Sequence, residues 1–516
     1  MTDADVLVLG GGHNGLVAAA YLARAGLRVV VLEARSVLGG AVASGEPFAG
    51  VAASLSRYSY LVSLFPRQLV DELGLDLRLA PRTFASYTPV GRSGLLVERE
   101  EGEATRRSFA ALTGGDREYQ AWREFGAALG RVAAVVAPTL TGPLPRAEQI
   151  RRDVGDELWS ALVEQPLGCW LEKAFSHDAV RGTLLTDALI GTFASAHDAS
   201  LRQNRCFLYH VIGDGTGEWQ VPVGGMGSLA VALTRAAEGA GADLRTGAEV
   251  VSVEPLAEGG AEVELAGGAR LQAPYLLANC APAVLDELLG RQPVASPEGS
   301  QTKVNVVLRR LPRLVSGLDP EIAFAGTLHL GQGYARLEES NRQAATGTLP
   351  DPLPCEVYCH TLTDPSILSQ ELRERGYHTF TLFGLHTPAR LFTADPEAGR
   401  DRVRRAALNA LQSVLAEPLD DCLARDADGQ PCIEVLTPLD VAAELNMPGG
   451  HIFHGDLQWP WLADDAPADT PAERWGVSTD LPGILVCGSG SVRGGAVSGL
   501  GGHSAAQAVL EGERRA

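Results

Sequence analysis

A strand followed at once by three spaced glycines dominates the first forty residues. The four consecutive apolar residues from Val6 to Leu9 are typical of a buried strand. Gly10, Gly12 and Gly15 follow in GxGxxG spacing. In such a unit the first glycine permits a tight turn, the second lets the backbone approach a pyrophosphate, and the third lets a helix pack close to the strand. The sequence therefore predicts a strand–turn–helix unit whose helix N-terminus binds phosphate.

A second apolar run and an acid extend this unit. Residues 28–32 predict a second strand, which ends at Glu33. An acid about 20 residues beyond the glycines accepts hydrogen bonds from a ribose diol, and its charge would repel the additional phosphate of NADP. Gly39 and Gly40 offer a second close approach of the backbone to a ligand. Because NAD dehydrogenases usually lack this last pair, the pattern favours FAD as the cofactor.

The length and charge of the chain restrict its class. Its 516 residues exceed one domain of about 100–200 residues, so two substantial domains are expected. The net charge of −20 disfavours binding to nucleic acid or to anionic membranes. No apolar run approaches the ~18 residues of a membrane span, and the acidic N-terminus is unlike a signal peptide. We expect a cytoplasmic protein, with oligomer formation left open.

The eight cysteines do not suggest a metal centre. None forms a CxxC pair. Cys355, Cys359 and His360 are close in sequence, but the alternation around them is typical of a strand and no fourth ligand is apparent. We therefore predict no metal site.

A second strand–glycine–helix unit lies at the other end of the chain. Residues 483–487 predict a buried strand, and Gly488, Gly490, Gly494 and Gly495 follow before a final helix. Two such units at opposite ends predict that both ends of the chain meet at one cofactor.

The order of these motifs resembles that of the phytoene desaturase-like flavoproteins, within the amine oxidase fold. Between the two ends, the resemblance includes residues 54–60, the run Gly224-Gly-Met-Gly227 and the run that begins at Lys303. Among these flavoproteins the chain resembles the pyridine nucleotide-disulfide oxidoreductase domain-containing protein 2 type. It departs from the pattern at Arg493, where a smaller residue is expected between the two glycine groups.

The resemblance implies an α/β fold with a Rossmann-like FAD-binding domain of the amine oxidase and phytoene desaturase type. An α+β substrate domain would be inserted into it, with residues 100–200 mostly helical. The implied FAD-binding domain is discontinuous and comprises residues 1–55, 220–285 and 475–516. The implied substrate domain comprises residues 56–219 and 286–474.

The motifs and the resemblance together give a set of candidate cofactor-binding residues. The backbone of Val251 is expected to face the adenine, and the C-terminal glycine run is expected to surround the pyrophosphate and ribityl chain. The candidates are Gly10, Gly12, His13, Asn14, Gly15, Glu33, Ala34, Arg35, Gly39, Gly40, Val251, Gly488, Ser489, Gly490, Val497 and Ser498.

Three residues are candidates for a role in catalysis. Lys303 resembles the lysine that holds a water beside the flavin in amine oxidases, with a surface lysine at a strand edge as the alternative. His210 is a candidate general base or a buried core histidine. Tyr58 is a candidate for the pocket wall or for a structural hydrogen bond.

The implied activity is that of an FAD-dependent oxidoreductase that removes a hydride from an apolar small molecule. No second GxGxxG unit for NADPH is evident in the sequence, so oxygen or a quinone is the expected electron acceptor. Amine oxidation and isomerisation are alternatives on the same scaffold. A carrier or regulatory flavoprotein of low turnover is the alternative outside enzyme catalysis.

Overall fold

The computed structural model describes residues 3–213, 215, 217–293 and 298–514. The strands in this part of the chain are β1 (Val6–Leu9), β2 (Val29–Glu33), β3 (Ser44–Gly45), β4 (Leu55–Ser56), β5 (Leu79–Ala80), β6 (Phe84–Val90), β7 (Ser93–Glu98), β8 (Val221–Pro222), β9 (Asp243–Thr246), β10 (Val250–Pro255), β11 (Ala261–Leu265), β12 (Arg270–Ala273), β13 (Tyr275–Ala278), β14 (Thr302–Leu308), β15 (Thr327–Leu330), β16 (Cys355–Tyr358), β17 (His378–Gly384), β18 (Ile433–Leu436) and β19 (Ile484–Val486).

The helices of the same residues are α1 (His13–Arg24), α2 (Arg67–Leu73), α3 (Glu103–Thr113), α4 (Arg117–Val136), α5 (Ala147–Val154), α6 (Asp156–Trp159), α7 (Leu167–Ala174), α8 (Asp178–Leu185), α9 (Arg202–Ile212), α10 (Gly227–Gly239), α11 (Pro282–Leu288), α12 (Pro320–Ala323), α13 (Tyr334–Ala345), α14 (His360–Thr363), α15 (Gln370–Glu374), α16 (Pro396–Gln412), α17 (Pro438–Leu445), α18 (Pro471–Arg474) and α19 (Leu500–Glu513).

Both ends of the chain contribute to one parallel sheet. Its strand order is β19-β13-β1-β2-β9, so β1 lies beside strands from the middle of the chain and from its beginning. The helix α1 packs against α10 and α19, and the three bury a continuous apolar core with this sheet. A sheet covered in this way accommodates strands that are apolar along their whole length, such as β1. The predicted α/β class with a Rossmann-like unit is confirmed.

A small antiparallel sheet accompanies the parallel one. Strands β10, β11 and β12 are joined in sequence order and share a second apolar core with residues of β1, β2 and β13. All strands of these two sheets fall within the ranges 1–55, 220–285 and 475–516. The division of the chain into domains stays a prediction.

The second large sheet has seven strands, in the order β18-β14-β17-β16-β15-β6-β7. Its pairs are antiparallel except for β15 and β6. The helices α3 to α8 occupy most of residues 100–200, as expected, and share a core with residues of β7. No helix of the described residues is both long and apolar enough to cross a membrane. The expected cytoplasmic location stays a prediction.

The position of β14 corrects one expectation about Lys303. Every residue of β14 is buried, and β17 and β18 pair with it on either side. Lys303 therefore lies inside the sheet, with only 5% of its surface exposed, and is not a surface lysine at a strand edge. Lys303 is opposite Phe383 on β17, and Phe383 is opposite Glu356 on β16. Glu356 is in turn opposite His329 on β15. Residues directly opposite one another point to the same face of a sheet, so these four form a row.

Candidate functional site

One cavity of about 760 Å³ is lined by the glycine turn after β1 and by one face of the seven-stranded sheet. Its volume lies within the range of about 300–1,000 Å³ typical of small-molecule and cofactor sites. We call the part lined by β1, β2 and their loops the nucleotide end. We call the group of ionisable side chains on the sheet face and nearby loops the polar patch; its members are Tyr60, Arg82, Asp187, His329, Glu356 and Tyr358.

The nucleotide end contains an uncapped helix terminus. Gly12 is the N-cap residue of α1, and no side chain caps this end of the helix. The first N–H groups of a helix have no partner within the helix and attract anions. A Cβ atom on Gly15 would lie 2.3 Å from the carbonyl oxygen of Gly10, so only glycine allows this close approach of helix and turn. The geometry fits a phosphate group at the start of α1.

Glu33 is held rigidly at the end of β2. Its Oε2 accepts a hydrogen bond of 2.8 Å from the Gly11 N–H, and its Oε1 accepts one of 2.9 Å from the Arg35 N–H. Carboxylate oxygens can accept further hydrogen bonds. The side chain is thus fixed at the cavity and retains acceptor capacity for a ribose diol.

Several buried polar atoms around the cavity have no hydrogen-bond partner among the described residues. The atoms, all from residues that line the cavity, are Nε2 of His13, Oδ1 of Asn14, Nη1 of Arg35, Oγ of Ser63, Nε2 of Gln301 and Nδ1 of His454. A buried donor or acceptor without a partner costs about 1–3 kcal/mol. A large polar ligand would supply the missing partners, so the residues present fit a dinucleotide.

The C-terminal loop closes the cavity from the other side of β13. Ser489, Ala496 and Val497 line it, and Ala496 adopts a left-handed backbone with φ of 60°. A non-glycine residue in this region is strained and often marks a functional site. Arg493, which departs from the family pattern, is buried and donates hydrogen bonds to carbonyl oxygens of the loop after α4, including that of Leu140 at 3.2 Å. It joins the C-terminal loop to the helical region.

Most of the predicted cofactor residues line the cavity. They are Gly10, Gly12, His13, Asn14, Glu33, Ala34, Arg35, Gly40, Ser489 and Val497. Gly15, Gly39, Gly488, Gly490 and Ser498 are not among its lining residues and pack against neighbouring parts of the chain. Their role in cofactor binding stays a prediction.

Val251 is not among the lining residues of the cavity, and the predicted contact of its backbone with the adenine stays a prediction. Its side chain is 47% exposed, whereas the preceding Ala248, Glu249 and Val250 line the cavity. The pairing of β10 with β11 shifts between Val250 and Ser252, which leaves Val251 outside the regular ladder. Such a bulge re-aims the side chains around it.

Lys303 is bound to the backbone beside the cavity. Its Nζ donates hydrogen bonds to the carbonyl oxygens of Ser56 and Ser59, the second at 2.9 Å, and lies 5.5 Å from the ring centre of Phe383. Burial lowers the pKa of Lys303 to about 7, with Glu434 opposing and Arg57 adding to this shift. Lys303 is not among the lining residues, and its catalytic role stays a prediction.

His210 and Tyr58 both line the cavity. The Nδ1 of His210 is 2.9 Å from the carbonyl oxygen of Cys206, and its ring stacks on Trp219 at 4.9 Å. Burial lowers the pKa of His210 to about 4, so the ring is neutral near pH 7. The Tyr58 hydroxyl donates to the Glu444 carboxylate, and burial raises the pKa of Tyr58 to about 12. Their catalytic roles likewise stay predictions.

The polar patch is the part of the site that the sequence did not reveal. Arg82 donates hydrogen bonds to the Thr327 hydroxyl at 2.9 Å and to the Trp219 carbonyl at 3.2 Å. The Tyr358 hydroxyl donates to Glu356 at 2.5 Å. The only sequence signal was a charged residue, Glu356, within the otherwise apolar strand β16.

The chain is similar to known proteins in sequence. The family model described as an NAD(P)-binding Rossmann-like domain matches residues 8–69. An uncharacterized protein of Mycobacterium tuberculosis is 51% identical over 98% of this chain and 97% of that protein. Pyridine nucleotide-disulfide oxidoreductase domain-containing protein 2 of Mus musculus is 28% identical over 98% of this chain and 93% of that protein. Hydroxyneurosporene desaturase of Cereibacter sphaeroides is 29% identical over 54% of this chain and 57% of that protein.

The fold is also shared with solved structures. Wild-type putrescine oxidase bound to putrescine is 18% identical and covers 99% of both chains with a TM-score of 0.59. At this level of identity the likeness concerns the fold alone.

The Rossmann-like unit and the relatives in sequence define the class of protein: an oxidoreductase of the FAD-dependent amine oxidase and desaturase superfamily. Within that class, the chain belongs to the same family as the uncharacterized protein of Mycobacterium tuberculosis, and its similarity to pyridine nucleotide-disulfide oxidoreductase domain-containing protein 2 extends over nearly its whole length. The predicted resemblance to the latter type is thus confirmed.

Proposed function

We propose that the cavity binds FAD and that the protein dehydrogenates a largely apolar small molecule by hydride removal. The observation that carries this proposal is the continuity of the nucleotide end with an apolar wall in a single cavity. Gly12, Glu33 and Arg35 would hold the nucleotide part of the cofactor. Bound flavin supplies a hydride acceptor, which is chemistry that side chains lack.

The apolar wall supports a substrate with a hydrocarbon body. Trp122 and Leu129 of α4 and Leu184 of α8 line the cavity from the helical region. Burying an apolar ligand against these side chains would contribute about 25 cal/mol of binding free energy for each Å² of apolar surface removed from water. The same side chains would exclude water from the reacting bond. The relative named hydroxyneurosporene desaturase is consistent with this reading.

The aromatic side chains favour dehydrogenation over amine oxidation. Amine oxidation on this scaffold is expected to need two aromatic rings that hold the substrate between them. At this cavity Tyr60 and Tyr358 lie with ring centres 4.7 Å apart, and His210 and Trp219 lie 4.9 Å apart. Each pair is in mutual contact, so neither leaves a gap for a substrate between its rings.

Cofactor identity is tested by reconstitution. The protein is purified, any flavin is released and identified, and the stripped protein is titrated with FAD and separately with FMN. We expect tight binding of FAD and weak binding of FMN, because FMN lacks the adenosine half that would satisfy the nucleotide end. Glu33→Ala is expected to weaken FAD binding, and Glu258→Ala, in an exposed hairpin, serves as the matched control. A colourless protein that FAD does not reconstitute overturns the proposal and favours a carrier.

The electron acceptor is proposed to be oxygen or a quinone. The flavin is reduced with dithionite under anaerobic conditions and then mixed with aerated buffer, with menadione or with NADP⁺. Rapid reoxidation by oxygen or menadione is the expected result. Reoxidation by NADP⁺ alone contradicts the assignment of the acceptor and leaves the cofactor proposal intact.

A further inference from the structure

The polar patch contains two carboxyl groups whose charges both act on one arginine. Asp187 and Glu356 line the same cavity as Arg82, and the charges of both acids act on the guanidinium. Glu356 is 2% exposed and is fixed by the Tyr358 hydroxyl on one oxygen, while its other oxygen lies 3.9 Å from Nε2 of His329. No hydrogen bond is formed by the Asp187 carboxyl within the described part of the chain. This carboxyl is available to a ligand.

The protonation states of the patch follow from its burial. Burial raises the pKa of Asp187 to about 8, and the charge of Glu356 adds to the shift. Burial also raises the pKa of Glu356 to about 7, against the opposing effects of Tyr358 and Arg82. Near neutral pH the two acids are therefore protonated much more than exposed carboxyl groups would be. The pair then carries well under two negative charges beside the single positive charge of Arg82.

The other titratable members of the patch are neutral under the same conditions. Burial and the positive charge of Arg82 lower the pKa of His329 to about 3. Burial raises the pKa values of Tyr60 and Tyr358 well above that of an exposed tyrosine. Outside the patch, burial and the charge of Asp187 raise the pKa of the Cys206 thiol to about 12. The patch thus offers a carboxylic acid and a guanidinium as donors and a carboxylate as acceptor, without excess charge.

We propose that this patch binds a neutral oxygen-containing group, a hydroxyl or a carbonyl, on an otherwise apolar substrate. This inference rests on the proposed oxidation of a small apolar molecule in the same cavity and narrows its substrate class. The charges of the patch nearly balance and the patch is shielded from water. An ionised ligand would add an unpaired charge there, and burying an unpaired charge costs free energy. A pure hydrocarbon would leave the donors and acceptors of the patch without partners.

The test compares four eight-carbon probes that differ only in their end group: 1-octanol, octylammonium, octanoate and 1-chlorooctane. Each is titrated into the flavin-loaded protein at pH 7, and binding is followed by the flavin absorbance and by isothermal titration calorimetry. We expect 1-octanol to bind at least 10-fold more tightly than the other three. Equal binding of 1-octanol and 1-chlorooctane, or no binding of any probe, overturns the inference.

Charge-changing variants give a second and sharper readout. The double variant Asp187→Asn/Glu356→Gln leaves Arg82 without a counter-charge, so octanoate is expected to become the preferred probe. Arg82→Gln leaves the acids without their cation, so octylammonium is expected to gain affinity. Glu258→Gln, in the exposed hairpin, is the control and keeps the preference for 1-octanol. If Arg82→Gln does not fold, the double variant still decides the question.

The two proposals fail in different ways. A protein that cannot bind flavin contradicts the proposed function. A protein that binds flavin normally, but whose ranking of the probes is the same in the wild type and in the double variant, contradicts only the inference about the polar patch.

Discussion

The Nδ2 of Asn279 donates a hydrogen bond of 2.9 Å to the carbonyl oxygen of Gly10. Asn279 follows β13 and Gly10 follows β1, so this bond joins the carboxyl ends of two adjacent parallel strands. Ligands of open α/β sheets bind at this edge. Asn279 also lines the cavity, and it therefore fixes the glycine turn at the place where the nucleotide is proposed to bind.

Asn279→Ala is expected to weaken FAD binding by roughly 3- to 10-fold. The variant removes one hydrogen bond, a loss of about 0.5–1.5 kcal/mol, and loosens the turn that presents Gly12 to the phosphates. The dissociation constant is measured from the quenching of flavin fluorescence. Asn409→Ala, on the exposed side of α16, is the control and should leave it unchanged. An unaltered dissociation constant for Asn279→Ala would show that the turn is held by other contacts.

Gly15→Ala is expected to destabilise the fold by about 1–3 kcal/mol. The added Cβ would meet the Gly10 carbonyl oxygen at 2.3 Å and Asn279 Nδ2 at 2.9 Å, so α1 must move away from β1. The thermal midpoint of the apo-protein is the measurement. The matched variant Gly239→Ala changes a helical glycine whose Cβ position is open, and alanine favours a helix by up to about 1 kcal/mol. We expect its midpoint to stay constant or rise. Equal midpoints for Gly15→Ala and the wild type would be inconsistent with tight packing here.

The nucleotide end could be predicted because its signals are local in sequence. The spacing from Gly10 to Glu33 and the apolar runs on either side are sufficient to define a strand–turn–helix–strand unit. The polar patch could not be predicted in this way. Arg82 lies in a loop after β5, Asp187 lies in a short turn after α8, and Glu356 is on β16. The packing of these three separate segments in the fold brings them together, and no periodicity within one segment reports that packing.

Two details of strand pairing could not be predicted from the sequence. The one-residue shift at Val251 arises from a bulge in the β10–β11 pair, which the alternating sequence does not reveal. The strand β14 pairs with β17 on one side and with β18 on the other, so Lys303 is buried and is not an edge residue. The partner of Lys303 on β18, Leu436, lies more than 100 positions away in the sequence, and no local pattern reports such a pairing.

Substitutions at Val250 and Val251 test the position of the bulge in the β10–β11 pair. Val250→Arg is expected to weaken FAD binding at least 10-fold, because the larger charged side chain would enter the cavity at the nucleotide end. Val251→Arg places the same side chain in solvent and is expected to have no measurable effect. Both dissociation constants are measured by equilibrium titration of the stripped protein. The opposite ranking of the two variants would contradict the placement of the bulge.

Lys303 is expected to make the stability of the protein depend on pH. Its pKa falls from 10.5 to about 7 on folding because the ammonium group is buried. Between these two values the unfolded chain binds more protons at this site than the folded chain does. The free energy of unfolding therefore contains a contribution that rises with pH across this window, and below pH 7 the full cost of burying the charge is present.

Lys303→Met removes this contribution, so the thermal midpoint of the variant should rise less than that of the wild type between pH 7 and pH 9. Lys173→Met, in the last turn of α7, removes the other lysine of the chain and is the matched control. Thermal unfolding of the apo-proteins is followed by circular dichroism at the two pH values. We expect the pH dependence of the control to equal that of the wild type. If Lys303→Met also equals the wild type, the ammonium group titrates as an exposed lysine would, and the hydrogen bonds to the carbonyls of Ser56 and Ser59 compensate for its loss of water.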